Sequence, residues 1–199
     1  MIAAPSYPRR QRYVRLARAV EHGVLAFVTL LIGVATAAAG RAAPAIFFAT
    51  AGVGFTLRSR RWVRLARRSG VGARSEQRVR RRLRELEREG WTVRHALRWP
   101  GSGDVDHIAV APPCSAIVFA IETKTRSYLL DDLARTAEVA AWLAGTRAAR
   151  GSQAVPVLCL ARSGGVERWE GGVAVLSLDR LVAVLRRLAG TTRRPSFLR

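Results

Sequence analysis

Two apolar runs open the chain: Gly23 to Gly40 carries no charge, Arg41 interrupts, and Ala42 to Leu57 is again uncharged. A bilayer core takes roughly 20 apolar residues, range about 17 to 25, so the first run can cross and the second is marginal. From residue 75 the pattern changes. Val79, Leu83 and Leu86 recur at helical spacing and predict an amphipathic helix over 75–89. Three runs with strand character follow, Trp91 to Trp99, Asp104 to Ala111 and Ser115 to Lys124, the last two joined by a Pro112-Pro113 turn. Asp131 to Arg147 predicts a helix with acids in its first turn. Ala154 to Ala161 and Val173 to Leu178 predict buried strands, and Leu181 to Leu188 a closing helix. Gly164-Gly165 and Gly171-Gly172 mark turns. The order is α-β-β-β-α-β followed by a strand and a helix, an α/β domain over 75–190. Before it stand a basic segment (1–22), a two-helix membrane hairpin (23–57) and a basic juxtamembrane linker (58–74) containing Ser69-Gly-Val-Gly72. Residues 191–199 form a flexible tail.

Charge sharpens the hairpin reading. Residues 1–75 hold thirteen arginines and one acid, Glu21, within a chain of formal net charge +20. Arginines flank the two apolar runs on their outer sides, against Arg41 alone between them, which places both termini and the α/β domain in the cytoplasm at a cell membrane. The aromatic-basic sequence Tyr13-Val-Arg-Leu-Ala-Arg18 returns as Trp62-Val-Arg-Leu-Ala-Arg67, as paired interfacial anchors would. A cleaved signal peptide ending near Ala37-Ala-Ala39 would leave the second run and the matching flanks unexplained. A buried soluble helix pair would lack the amphipathic alternation it needs. The basic excess calls for anionic partners, nucleic acid or an anionic leaflet, without choosing between them. Cys114 and Cys159 have neither metal-ligand spacing nor a disulfide framework and read as free thiols.

The candidate chemistry gathers around Lys124, the one lysine among 34 basic residues. A compact ammonium differs from a planar guanidinium wherever a point charge meets water or phosphate beside carboxylates. A hairpin pairing residue 111 with 116 sets 106 opposite 121, so Asp106 and Glu122 fall within one residue of each other, and a one-residue bulge would align them. Strand alternation puts Asp104 with Asp106, and Glu122 with Lys124. Glu76 lies on the apolar stripe of the first helix, where an ion needs a partner, although first-turn acids also serve the helix dipole. Gathered carboxylates either hold protons at raised pKa or bind a hard divalent cation through oxygen, which favours magnesium, or manganese, over zinc. His22, His95 and His107 are scattered, and His107 is expected to pack or hydrogen-bond on the face opposite Asp106.

The fragments Gly72-Ala-Arg-Ser-Glu76, Gly103-Asp-Val-Asp-His-Ile108 and Ile121-Glu-Thr-Lys124, in this order, resemble the nuclease-related domain (NERD) family, a branch of the PD-(D/E)XK nuclease superfamily. The resemblance spans roughly residues 70–165 and implies a PD-(D/E)XK-like mixed sheet. It implies a divalent metal held by Asp106 and Glu122, with Glu76 supporting the site and Lys124 positioning the attacking water. The implied activity is hydrolysis of nucleic acid phosphodiesters, DNA ahead of RNA. Thr125-Arg-Ser-Tyr128 leads quickly into a helix without the family's usual glutamine, so Arg126 or Arg135 would take over phosphate contact. A catalytically silent module that binds nucleic acid or anionic lipid is the competing reading.

Overall fold

The computed structural model describes residues 7–101, 103–112, 117–146, 149 and 151–190, with backbone alone at 7–10. The chain divides into two compact units, Met1–Ala73 and Arg74–Arg199. In the first, helix α1 (Tyr7–Ala38) turns into α2 (Ala42–Glu87). The turn is a Schellman motif: Arg41 N–H donates to Thr36 O (2.9 Å) and Gly40 N–H to Ala37 O (3.0 Å), with Gly40 at φ +71°. Small residues let the two helices approach closely. A Cβ on Gly52 would stand 2.6 Å from Leu30 Cγ, and one on Gly33 3.3 Å from Ala49 N. Nearer the basic ends, Ser59 Oγ donates to Ala19 O (2.8 Å), and the Arg18 guanidinium stands 4.9 Å from the centre of the Trp62 ring. The two copies of the aromatic-basic repeat thus meet.

Over Gln11–Ala38, α1 is long and apolar enough to cross a membrane, and among the described residues no other helix is. The second apolar run forms the start of α2, which continues for 46 residues and does not meet that measure. The expected linker at 58–74 is helical throughout. Gly70 and Gly72 each cost about 1 kcal/mol in a helix interior, and the arginines, alanines and leucine around them are good enough helix formers to carry the helix through.

The second unit is built on a six-stranded mixed sheet in the order β1-β2-β3-β4-β6-β5. Its strands are β1 (Thr92–Arg98), β2 (Asp104–Val110), β3 (Ile117–Lys124), β4 (Gln153–Leu160), β5 (Glu167–Glu170) and β6 (Val173–Ser177). The first three form the expected antiparallel meander, β4 and β6 continue it in parallel, and β5 closes the edge antiparallel. Helix α3 (Leu130–Ala144) crosses between β3 and β4, and α4 (Leu178–Gly190) ends the described chain. Side-chain alternation separates two apolar layers. Ile117, Phe119 and Ile121 pack with Val79, Leu83 and Leu86 of α2 and Leu181 and Leu185 of α4. Val118 and Ala120 pack with Val139, Ala140 and Leu143 of α3. Burial on both faces explains why β3, β4 and β6 read as unbroken apolar runs. β5, with the sequence Glu-Arg-Trp-Glu, has no such signal and was not foreseen from the sequence. The sites of Cys114, Ser115 and the 191–199 tail lie outside the described residues.

Candidate functional site

The β2–β3 pairing matches His107 with Ile121 and Ile108 with Ala120. Carried one step further, this register sets Asp106 opposite Glu122, so the alignment needs no bulge between these strands. The irregularity lies on the other side of β2. Ala96 adopts φ +53° and interrupts the β1–β2 pairing between His95↔His107 and Leu97↔Val105, at the position that would face Asp106. A left-handed backbone at a non-glycine residue costs roughly 1 to 2 kcal/mol, so local strain borders this carboxylate.

Asp106 is partly buried between β1 and β3. Its Oδ2 accepts the Thr123 N–H at 2.8 Å. Burial, followed by the negative charges of Glu122 and Glu76, pushes its pKa well above the usual carboxylate range, and the Thr123 amide and Lys124 only partly oppose this. Burial also raises Glu122, against the pull of Lys124 and Arg135. The Lys124 Nζ lies 3.5 Å from Glu122 Oε1 and 2.7 Å from Asp132 Oδ1. Partial burial works against the Lys124 ammonium, but these two carboxylates more than offset it and hold its pKa above the ordinary value. The charges of Glu76, Glu122 and Lys124 are thus all felt at Asp106.

Asp132 belongs to this group and was read from the sequence only as a first-turn acid. Its Oδ2 accepts the Leu129 N–H at 2.9 Å, a helix-capping bond, while its Oδ1 receives Lys124. Partial burial raises its pKa, but the hydrogen bonds from Lys124 and Leu129 prevail and hold it low. Arg135, on the next turn of α3, reaches back to Asp104 O (3.5 Å) and packs against Gly103, where a Cβ would stand 2.8 Å from Nη2. Arg126 is separate and exposed. His107 lies outside this group: it is buried, with its Nδ1 2.8 Å from Nδ1 of His95, and burial lowers the two pKa values to about 3 and about 4. Cys159 is a buried free thiol whose pKa burial pushes up to about 12, so it is chemically quiet.

The donor set suits a hard cation. Asp106, Glu122 and Glu76 offer carboxylate oxygen, and a dication would relieve the burial and mutual repulsion that raise Asp106. Among the described residues, no three His, Cys, Asp or Glu side chains already close into a metal cage. Residues 71–150 match the family model of the nuclease-related domain (NERD), which supports a nuclease-related assignment for this part of the chain. Comparison with curated proteins and with solved structures gives no match.

Proposed function

We propose that this protein is a membrane-anchored, divalent-metal-dependent nuclease of the PD-(D/E)XK type, hydrolysing nucleic acid phosphodiester bonds. The observation that carries this reading is Asp106: a partly buried carboxylate opposite Glu122, destabilised as an anion by burial and by two further carboxylates, with the Lys124 ammonium 3.5 Å from Glu122. Magnesium or manganese held by Asp106 and Glu122, with Glu76 in support, would lower the pKa of a bound water and polarise the phosphate. Lys124 holds the attacking water and offsets charge on the pentavalent phosphorus. Asp132 keeps the ammonium charged and aimed. Arg135 lends positive charge to the Glu122 side, and the exposed Arg126 would contact phosphate. The α1 helix, with the apolar start of α2 beside it, anchors the protein as a hairpin with both ends on the cytoplasmic side.

The basic excess of the chain, formal net charge +20, favours a second reading, a module that binds nucleic acid without cutting it. Incubating the full-length chain, purified in detergent, with single-stranded, duplex and branched DNA and RNA separates the two. The nuclease reading expects Mg²⁺-dependent products that vanish in EDTA and in Asp106→Ala and Lys124→Ala. Salt-sensitive binding that persists in EDTA, without products under any condition, would establish the binding module instead.

A further inference from the structure

Beyond Lys124 the chain forms an open groove of about 610 Å³, lined by Arg126, Tyr128, Leu129, Leu130, Ser163 and Arg168 among others. It begins at the candidate site. Leu160, also in its wall, pairs with Lys124 across the β3–β4 ladder, and Ala161 N–H donates to Lys124 O at 2.8 Å. We infer that this groove holds an unpaired nucleic acid strand leading to or from the scissile phosphate, so that the protein selects single-stranded over duplex substrate. This rests on the nuclease reading of the neighbouring carboxylates and adds the form of the substrate to it.

Two features carry the inference. The groove lining carries two arginines and one carboxylate: Arg126 is exposed, and Arg168 is held in place by bonding to the Tyr128 hydroxyl and by Glu170, 3.4 Å from its Nε. The Tyr128 hydroxyl in turn donates to Glu170 Oε2 at 2.6 Å, and the Arg168 guanidinium lies 5.7 Å from the Tyr128 ring centre. With its side chain still 55% exposed, this guanidinium offers its remaining donors to a phosphate and its plane to a base. The same lining includes two apolar side chains open to solvent, Leu129 at 72% and Leu130 at 76% exposed. Phosphates alone would not need such a wall. Base faces would, and a duplex hides its base faces in the stack, whereas an unpaired strand presents them.

The test is fluorescence anisotropy with the full-length protein in detergent micelles and EDTA, so that nothing is cut. The probes are a labelled oligothymidylate and a duplex of equal length, titrated across a salt series. The expected result is tighter binding of the single strand. Arg126→Ala/Arg168→Ala should weaken it at least tenfold and reduce the slope of log affinity against log salt by about 0.7 for each lost phosphate contact. Leu129→Ser/Leu130→Ser, at exposed positions, should weaken the single strand severalfold and leave the duplex unchanged, with circular dichroism confirming the fold. If the wild type binds the strand and both double variants match it, the groove assignment is overturned while the nuclease reading stands. If single strand and duplex bind equally and the leucine variant changes neither, selection for unpaired strands is overturned. If the wild type binds no nucleic acid, both readings fall together.

Discussion

Lys124 Nζ is 2.7 Å from Asp132 Oδ1 and 3.5 Å from Glu122 Oε1, so the amine on β3 is held more closely by the first turn of α3 than by its own strand neighbour. Asp132→Asn removes this charge-assisted bond and weakens the cap at Leu129. The variant should lose about 1 to 2 kcal/mol by urea unfolding at pH 7. Nuclease turnover should fall at least tenfold with little change in KM, because the amine is displaced while substrate contacts remain. Turnover equal to wild type would remove Asp132 from the site.

Charge alone should not substitute for the amine. Lys124→Arg keeps the positive charge but places a wider, planar group between Glu122 and Asp132, so activity should drop about a hundredfold or more. Single-turnover rates at saturating Mg²⁺ would measure this directly.

Burial and the charges of Glu122 and Glu76 disfavour Asp106 as an anion. Asp106→Asn should abolish cleavage yet leave the protein in EDTA as stable as wild type or more stable, because a partly buried, repelled carboxylate is gone. Mg²⁺ should raise the Tm of the wild type and not of the variant. Calorimetry in buffers of different ionisation enthalpy should show proton release on Mg²⁺ binding that grows as the pH is lowered, since Asp106 and Glu122 both have raised pKa values. Binding without proton release would contradict this.

The His95–His107 pair and the site carboxylates oppose each other in acid. The histidine pKa values are lowered to about 4 and about 3, so below pH 6.5 the unfolded chain takes up protons that the folded chain refuses, and stability falls with pH. His107 contributes up to about 1.4 kcal/mol per pH unit in that window, and the more exposed His95 less. Asp106 and Glu122, whose pKa values are raised, retain protons in the folded chain and act with the opposite sign. The Asp106→Asn/Glu122→Gln variant should therefore lose stability more steeply than wild type between pH 6.5 and 4.5 in EDTA. Urea midpoints at several pH values would check it, and parallel curves would refute it.

Gly52 admits Leu30 where no side chain fits. Gly52→Leu should part α1 from α2 in the first unit and lower the thermal midpoint in detergent, whereas Gly54→Ala, which meets nothing within 4 Å, should leave it unchanged.

The strand meander, α3 and α4 were legible because their apolar residues keep period two or a helical period, as at Ile117, Phe119 and Ile121. Asp106, Glu122 and Lys124 were legible because charge within such apolar strands is rare enough to stand out. Asp132 was not, because a first-turn acid already has a sufficient local explanation and nothing local reports a lysine from another element. β5 escaped because an edge strand need bury nothing. The helical course through Gly70 and Gly72 escaped because two glycines within three residues ordinarily mark a break, and the strong helix formers around them prevailed. The twist at Ala96 has no local cue, since alanine rarely takes a positive φ.

With one lysine in the chain, amine-directed chemistry has a single side-chain address. Reductive methylation with isotopically labelled formaldehyde would place one reporter besides the α-amine, in the midst of the acidic group. Its NMR resonance would follow cation loading and strand capture in the intact protein without a single substitution.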